Sequence, residues 1–288
     1  MLTTLAALAQ DPAALLEKKT LDRIAAIDAR LDGVLGVAVI DLKTGRAFSY
    51  HGDFVTAQAS LIKIPILVTA FQQAESGELK LDRKIALTEK DKAGGSGTLD
   101  ARLGKEPLEL TVRELLTLMI RDSDNTATNT IIGLVKRERV NALMLALGFK
   151  STRLRRVMMD SEAAKRDDEN TSTPLEMARL VELIYCGKVV SRKACDGMTG
   201  ILKLVRADFR GALPPGVESA SKPGSVPGVR TEAGIVFLEG RPYVLSVMSS
   251  LLAGESNPIR DVVEAVEQHF ERLARSNRYG HRVSDPLY

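Results

Sequence analysis

Apolar residues along this chain recur at two different spacings. Spacings of three and four residues, typical of helices with one buried face, occupy segments 13–31, 60–77, 111–120, 125–136, 140–147, 174–185, 191–206 and 258–274. Short apolar or alternating runs, typical of strands, occupy segments 36–41, 46–50, 217–221, 229–238 and 243–250. This order predicts an α+β fold. Both chain ends would form one five-stranded antiparallel sheet, flanked by N- and C-terminal helices, with an all-helical domain inserted between them.

The same pattern divides the chain into domains. Residues 11–58 and 217–275 are predicted to form the sheet domain, residues 59–216 the helical domain, and residues 276–288 a loose polar tail. Segments 78–110 and 151–173 have few periodic residues and are predicted to be mostly loop. No strand–glycine–helix unit surrounds the glycines at 94, 95 and 97, so they predict a mobile loop at a cleft rim rather than a phosphate site.

Composition narrows the classes of function. The chain has 288 residues, of which 44% are hydrophobic and 27% charged, as in ordinary soluble globular proteins. Its 40 basic and 37 acidic residues leave a net charge of +3, and tryptophan is absent. This balance favours neither a nucleic-acid partner nor an anionic membrane surface. No run of about 18 apolar residues occurs, so no membrane span is expected. We expect a monomer that binds a small molecule.

Three short features add little chemistry. Segment 2–10 is similar to the end of a signal peptide without its basic start, so it is either part of an export signal or the first turns of a helix. Cys186 and Cys195 are either bridged, in an oxidising compartment, or two free thiols. The histidines at 51, 269 and 281 stand alone, so neither a metal nor another cofactor is expected.

Ser60-Leu61-Ile62-Lys63 opens an apolar helix and is the first candidate for chemistry. Residues three apart on a helix lie roughly 5–6 Å apart at Cβ, so the Lys63 amine would reach the Ser60 hydroxyl. A serine is a poor nucleophile until a neighbour accepts its proton, and a desolvated lysine can do so. The positive end of the helix dipole would favour negative charge developing at Ser60. Taken alone, the motif describes an N-cap serine with a solvated lysine at least as well.

Two further motifs follow in the chain. Ser123-Asp124-Asn125 falls between two predicted helices, where the serine could pass a proton and the asparagine could bind an amide; helix capping explains these residues equally. Lys222-Pro223-Gly224 ends a predicted strand, where the lysine could bring positive charge to a cleft and the glycine could let a substrate approach the backbone. An ordinary turn explains this third motif, Lys222-Pro223-Gly224, as well.

Together, and in this order, the three motifs resemble the signature of the class A β-lactamase-like family, the penicillin-recognising serine hydrolases. The resemblance extends to Thr111-Val112-Arg113-Glu114-Leu115 and to Thr171-Ser172-Thr173-Pro174, and it spans residues 34–270. It implies a β-lactamase/transpeptidase-like fold and covalent catalysis through an acyl-enzyme. It also implies a periplasmic or secreted bacterial protein.

The resemblance assigns the acyl-transfer roles residue by residue. Ser60 would be the acylated nucleophile, and Lys63 would accept and relay its proton. Ser123 would pass a proton to the leaving nitrogen of the substrate. These three side chains would carry the bond-making and bond-breaking steps.

The resemblance also implies the residues that bind the substrate. Asn125 would contact the substrate amide, and Lys222 would be the cationic partner of the second-motif serine and of the substrate carboxylate. The backbone N–H groups of Ser60 and Ser225 would form the oxyanion hole. Gly224 would lie beside them in the third motif.

Two positions depart from the family pattern in ways that weaken binding or bracing contacts. Pro223 stands where a hydroxyl residue is usual, which removes one hydrogen bond to a substrate carboxylate, and Arg230 on the next strand is the candidate replacement. The family braces its cleft-floor loop with an arginine–aspartate pair. Here Arg156 would face Asn170, which permits a hydrogen bond at most.

A third departure concerns hydrolysis of the acyl-enzyme. The deacylating glutamate of the family falls on Met158, which cannot act as a base. Glu162 is the best substitute by position, because it falls where the family has an amide that helps to hold the water, and Asp160 is second. Both carboxylates could equally be solvated loop side chains.

These residues predict a serine acyl hydrolase of the class A β-lactamase type, which opens a β-lactam or a similar cyclic amide or ester through an acyl-enzyme on Ser60. Met158 predicts slow deacylation. Two alternatives stay open: a peptidoglycan D,D-peptidase or esterase on the same site, and a penicillin-binding sensor that stays acylated.

Overall fold

A central antiparallel sheet organises the computed structural model, which describes residues 11–283. The strands are β1 (Val34–Asp41), β2 (Ala47–Tyr50), β3 (Thr56–Ala57), β4 (Lys84–Leu87), β5 (Leu108–Thr111), β6 (Thr171–Ser172), β7 (Glu218–Val226), β8 (Val229–Phe237) and β9 (Tyr243–Ser250). The sheet has the order β2-β1-β9-β8-β7 and is antiparallel throughout. The predicted five-stranded sheet assembled from both chain ends is therefore confirmed.

The helices occupy most of the segments in which apolar residues recur at helical spacing. They are α1 (Pro12–Asp28), α2 (Lys63–Glu75), α3 (Val112–Arg121), α4 (Asn125–Val135), α5 (Arg137–Ala146), α6 (Ser161–Lys165), α7 (Pro174–Tyr185), α8 (Arg192–Leu202), α9 (Asp208–Ala212) and α10 (Ile259–Arg275). Capping side chains fix the start of several helices. At the start of α3, the Thr111 hydroxyl accepts from the N–H of Glu114, and the Glu114 carboxylate accepts from the N–H of Thr111. Where the sheet domain and the helical domain divide stays a prediction.

Two hydrophobic cores lie on opposite faces of the sheet, as the alternation along β1 requires. Ala38 and Ile40 pack into the core shared with the helices between α2 and α8. Val37 and Val39 point the other way, into a core formed with α1, α9 and α10. The sheet is thus covered on both faces, and the functional motifs lie on the face toward α2.

Strand β7 is longer than predicted and contains the third motif. The prediction ended this strand at residue 221 because Pro223 and Gly224 interrupt strand patterns, but β7 continues to Val226 in register with β8. Proline is tolerated because β7 is the edge strand, where a missing N–H leaves no neighbour unpaired. Lys222 is consequently held by a sheet rather than by a turn.

Three segments expected to be loop or loose have regular structure. Segment 78–110 contributes β4 and β5, which pair with each other, and segment 151–173 contains α6 and β6. The described part of the tail folds back through a bridge between Ser276 and Arg282, and the N–H of Val283 donates to the carbonyl of Arg275 at 2.8 Å. The short strands were missed because their pairing depends on contacts distant in sequence.

Other expectations concern the chain ends and the cysteines. Segment 2–10 lies outside the described residues, so the choice between export signal and helix stays a prediction. No helix within residues 11–283 is both long enough and apolar enough to cross a membrane. Cys186 is exposed and Cys195 buried, and both are free thiols.

Candidate active site

Ser60 lies in a single 3-10 turn, Ala59–Ile62, which leads directly into α2. Buried Leu61 and Ile62 anchor the turn in the core, while Ser60 keeps partial exposure. Ala59 has a φ of 46°, in the left-handed region that residues with a side chain rarely occupy. The predicted position of Ser60 at a helix start is correct, and the preceding backbone is held in an unfavourable conformation to create it.

Ser123 sits in the break between α3 and α4, also with a positive φ, of 54°. Asp124 caps α4 by accepting from the N–H of Ala127, and its other oxygen accepts from the N–H groups of Thr98 and Leu99 at 2.8 and 2.7 Å. The side chain of Asp124 therefore fixes the second motif and the end of the glycine-containing loop together. The capping explanation therefore holds for Asp124, while the functional explanation of Ser123 and Asn125 stays a prediction.

Asn125 joins the same loop to the cluster. Its backbone N–H donates to Ser96, and its side-chain amide donates to the carbonyl of Gly94 at 3.1 Å. The thioether of Met159 lies over Gly95, where an added Cβ would come within 2.7 Å of its sulfur. The loop predicted to line the rim is thus hydrogen-bonded to the second motif.

A short relay of hydrogen bonds connects Ser60, Ser123 and Lys63. Ser123 Oγ donates to Ser60 Oγ at 2.9 Å, and Lys63 Nζ donates to Ser123 Oγ at 3.0 Å. Lys63 Nζ also donates to the carbonyl of Ser123 at 2.6 Å and to Asn125 Oδ1 at 3.0 Å. Lys63 was expected to reach Ser60 directly, but its hydrogen bonds lead to the nucleophile through Ser123.

Lys63 is fully buried, and its environment favours the neutral amine. Burial, together with the nearby charge of Lys222, holds the pKa of Lys63 well below its usual range, against a smaller opposing effect of Asp124. Desolvation disfavours the charged form of any buried lysine, and a second cation nearby adds to that effect. A neutral amine can accept a proton, which is what the first motif requires of this residue.

Lys222 is the second buried cation of the site. Its Nζ donates to the carbonyl of Pro223 at 2.9 Å, and in the described part of the chain no hydrogen bond joins it to Ser123. Burial lowers the pKa of Lys222 to about 7, while the carboxylate of Glu232 acts to raise it. The expected contact between Lys222 and Ser123 is therefore absent from this arrangement, and the charge of Lys222 acts on Lys63 through space.

Gly224 brings strand β7 against the nucleophile turn. A Cβ added to Gly224 would lie 2.8 Å from the backbone nitrogen of Ser60, 2.5 Å from the hydroxyl of Thr231 and 3.0 Å from the carbonyl of Gln58. Only glycine fits so close an approach. Ser225, which is exposed, follows Gly224 in the strand. The oxyanion hole formed by the N–H groups of Ser60 and Ser225 stays a prediction that this close approach supports.

Arg230 is directed away from the cluster. Its guanidinium pairs with Glu255 at 3.0 Å and donates to the carbonyls of Val226 and Val229 at 3.3 and 3.1 Å. It therefore does not supply the contact that Pro223 removes. The pairing with an exposed glutamate from the segment after β9 could not be read from the strand pattern.

The residues considered for deacylation form their hydrogen bonds outside the cluster of Ser60, Lys63 and Ser123. Met158 is buried in the core on the α2 face, and its backbone is held by the side chain of Asn129 through bonds of 2.8 and 3.1 Å. Glu162 pairs with Lys165 at 2.8 Å, and its side chain is 69% exposed. Asp160 caps α6 by accepting from the N–H of Ala163 at 2.9 Å. The geometry favours the solvated-loop interpretation of both carboxylates.

The brace of this segment differs from the expected one. Arg156 forms a two-pronged ion pair with Glu169, with Nε and Nη2 each 3.0 Å from a carboxylate oxygen. The side chain of Asn170 instead accepts from the N–H groups of Arg155 and Arg156 and donates to the carbonyl of Arg156. Asn170 is thus limited to hydrogen bonds with Arg156, as predicted, but the ion pair with Glu169 was missed because its carboxylate lies one residue earlier in the sequence.

Sequence reasoning missed two buried polar side chains near the site. The side-chain amide of Gln58 donates to the carbonyl of Thr171 at 2.7 Å, and its backbone N–H donates to that of Asn170 at 2.9 Å, which ties the nucleophile turn to segment 151–173. Glu232, in the middle of β8, has no exposed surface. An acidic residue within an otherwise apolar strand pattern is the one signal that could have identified it. Within residues 11–283 no group of three or more histidine, cysteine, aspartate or glutamate residues is arranged to hold a metal.

Comparison with known proteins places this arrangement in a family. The profile of the "Beta-lactamase enzyme family" matches residues 18–270. The chain belongs to the β-lactamase enzyme family. The β-lactamase ROB-1 of Haemophilus influenzae is 28% identical over 262 residues, which cover 87% of this chain and 83% of that protein. The resemblance inferred from the three motifs is confirmed.

Solved structures of β-lactamase-type enzymes share the fold. A β-lactamase from Sphaerobacter thermophilus has a TM-score of 0.80 with 29% identity and covers 88% of this chain and 97% of that one. PBP-A also has a TM-score of 0.80, with 28% identity and coverages of 88% and 96%. A mutant of PBP-A, solved as an acyl-enzyme complex with penicillin G, has a TM-score of 0.79 and 27% identity and covers 89% of this chain and 96% of that one. The chain is thus a class A β-lactamase-type serine hydrolase in fold.

Proposed function

We propose that this protein opens β-lactams by transferring their acyl group to Ser60, and that it releases the product slowly. The observation that carries the proposal is the relay from Ser60 Oγ through Ser123 Oγ to Lys63 Nζ, with steps of 2.9 and 3.0 Å. Full burial of Lys63 supports its role as the proton acceptor, because burial holds its pKa well below the usual range. Membership of the β-lactamase family supports the substrate class.

Acylation follows from this relay. Ser60 Oγ attacks the carbonyl carbon of the lactam, and reversal of the two hydrogen bonds carries its proton through Ser123 to the neutral amine of Lys63. The carbonyl oxygen gains negative charge, which the backbone N–H groups of Ser60 and Ser225 stabilise. The C–N bond then breaks, and the proton returns through Ser123 to the leaving nitrogen. The product of this half-reaction is an ester on Ser60.

Deacylation is the slow half of the proposed cycle. Water must attack the ester on Ser60, and a base must accept its proton. Met158 occupies the position at which the family carries that base, and it is buried among apolar side chains. The carboxylates of Glu162 and Asp160 are engaged by Lys165 and by the N-terminus of α6. The adduct is therefore expected to accumulate in a burst equal to the enzyme present.

A second candidate function uses the same nucleophile on a peptide. The methionine at position 158 favours a peptidoglycan D,D-peptidase or an esterase with poor turnover of antibiotics, since such an enzyme needs no β-lactam deacylating glutamate. Similarity to PBP-A is compatible with this candidate. A penicillin-binding sensor that stays acylated is the limiting case, in which the second half-reaction does not occur.

Covalent labelling tests the proposal. The protein is incubated with benzylpenicillin, weighed intact, and digested to map the labelled peptide; a mass increase of one penicillin on Ser60 is expected, and Ser60→Ala should remain unlabelled. Turnover of a chromogenic cephalosporin then gives the burst and the steady rate. Label on another residue, or equal labelling of Ser60→Ala, would overturn the mechanism. Cleavage of a D-alanyl-D-alanine peptide faster than penicillin release would favour the peptidase.

A further inference from the structure

Among the site residues within 11–283, one side chain, that of Lys222, is available to bind a substrate carboxylate as a cation. Pro223 offers no side-chain donor, and Arg230 is engaged by Glu255 and two backbone carbonyls. Lys63 is committed to Ser123 and Asn125. Lys222 remains, with one hydrogen bond to the carbonyl of its neighbour Pro223. Recognition of an anionic substrate therefore depends on whether Lys222 carries its charge.

In the described part of the chain, no carboxylate on the site's own face of the sheet stabilises the charged form of Lys222 by an ion pair. Lys222 is fully buried and forms no ion pair with a carboxylate in the described part of the chain. Burial lowers the pKa of Lys222 to about 7, so the ammonium loses its proton readily. A buried ammonium without a counter-charge tends to lose its proton.

A buried carboxylate lies behind the sheet, next to Lys222. Lys222 pairs in register with Ala233, while Pro223 pairs with Glu232. Directly opposed residues share a face and successive residues alternate, so Glu232 points to the face opposite Lys222. There it accepts from the hydroxyl of Ser221 at 2.7 Å and from the N–H of Phe209 at 3.2 Å. Both partners are donors, and they favour the ionised carboxylate.

We propose that Glu232 is a positioning residue that keeps Lys222 cationic from behind the sheet, so that this enzyme prefers substrates with a carboxylate. The inference rests on the proposed function, because it concerns the same acylation of Ser60. The attraction between Glu232 and Lys222 acts through the backbone of β7 and β8, where water does not screen it. Glu232 bonds to Ser221 and to the N–H of Phe209, on the face of the sheet away from Lys222, so it would act through Lys222 rather than on the substrate.

The charged groups around Glu232 give a way to vary its effect in both directions. From α9 it faces Asp208, whose negative charge acts with burial to raise the pKa of Glu232 to about 7, against the two hydrogen bonds. Asp208 is itself paired with Arg260 of α10 at 3.5 Å and accepts from the amide of Asn257 at 2.9 Å. From β9 the residue in register with Glu232 is Val247, which carries no charge. Removing Glu232 should lower the pKa of Lys222 further. Removing the charge of Asp208 should favour ionised Glu232 and so raise the pKa of Lys222.

The test compares benzylpenicillin with its methyl ester, which lacks the carboxylate. Acylation rates of the full chain are measured by quenched intact-mass spectrometry from pH 5.5 to 9. In the wild type, the ratio of acid to ester rates should fall as the pH rises through about 7, where Lys222 loses its proton. In Glu232→Gln this fall should move about one pH unit lower, so that the ratio near pH 7.5 drops about tenfold. In Asp208→Asn the fall of the ratio should move to a higher pH, by less than in Glu232→Gln.

Two controls make the result decisive. Glu232→Asp keeps the charge, so it should restore most of the wild-type ratio, and thermal unfolding checks that each variant folds. An unchanged ratio profile in Glu232→Gln would overturn the inference, as would equal loss of both rates, since that outcome indicates a structural role only. Wild-type protein that is acylated by neither compound would overturn the proposed function together with the inference. Acylation of the wild type with no difference between acid and ester would overturn the inference alone.

Discussion

The acylating cluster and the neighbouring segment 151–173 are built from different kinds of contact. In the cluster, Lys63 and Ser123 are buried or partly buried, and their polar atoms bond to one another or to the nucleophile. In the segment, polar side chains bond to residues of the segment or of neighbouring helices, as Glu162 does to Lys165 and Thr152 to Glu176, and Met158 holds the predicted position of the base. Both regions are well braced, yet only the first arranges its polar groups toward Ser60.

This difference separates two abilities that an efficient hydrolase combines. Forming an acyl-enzyme needs the nucleophile, the relay and the oxyanion hole, and each has a matching residue. Releasing it needs a base beside the ester, and the two predicted candidates, Glu162 and Asp160, are engaged by Lys165 and by the N-terminus of α6. The comparison therefore predicts fast acylation with slow hydrolysis, and each half can be altered independently.

The largest expected effect tests the acylating half. Lys63→Ala and Lys63→Arg should both slow acylation by a factor of at least about a hundred, because neither side chain can accept the proton from the relay. Lys222→Arg should keep appreciable activity, since arginine supplies the charge that this position needs. The rate at which benzylpenicillin forms the adduct on Ser60 is measured for each of the three variants. Similar rates for the two arginine variants would refute the division of roles between the lysines.

The second effect tests the releasing half. Met158→Glu should shorten the lifetime of the adduct by at least about tenfold, because a carboxylate at the position of the family's base can take a proton from water. Met158 is buried, so the variant should lose about 1–3 kcal/mol of folding stability. The lifetime is followed by intact mass after excess penicillin has been removed. Met158→Gln is the matched control, with similar size and no base, and equal lifetimes for the two variants would mean that the base is not what the site lacks.

Sequence alone was sufficient to locate the residues of the acylating cluster, because their signals are local, but the route of hydrogen bonds from Lys63 to Ser60 through Ser123 required the structure. The nucleophile and its base lie three residues apart on one helix start, and Ser123 follows a helix whose capping box at Thr111 and Glu114 is legible in the sequence. Helical and strand periodicity also predicted the sheet and the order of its elements. Such features depend on neighbours within about one turn or one strand, so they survive without knowledge of the fold.

The parts that were missed depend on contacts between distant residues. Pro223 was read as ending a strand, yet an edge strand tolerates it, and edge position is a property of the whole sheet. Arg156 was aligned with Asn170, but its ion pair with Glu169 follows from how the segment closes on itself. Arg230 was assigned to the site by strand register, and its pairing with Glu255 takes it elsewhere. In each case, the partner of the residue is determined by the tertiary structure, and sequence spacing alone allows several partners.

The smallest expected effect decides what segment 151–173 contributes. Position in the sequence makes Glu162 the leading substitute for the missing base, but its side chain is 69% exposed and paired with Lys165 at 2.8 Å. Surface ion pairs of this kind contribute little, and a solvated carboxylate remote from the ester cannot accept a proton from the attacking water. Glu162→Gln should therefore change the adduct lifetime by less than about twofold, and Asp160→Asn, which keeps the helix cap, should behave alike. Intact-mass decay of the penicillin adduct measures both against Met158→Glu as the positive control. A lifetime lengthened tenfold or more in Glu162→Gln, with the rate of acylation unchanged, would mean that α6 turns toward Ser60 in the acyl-enzyme and that Glu162 is the deacylating base.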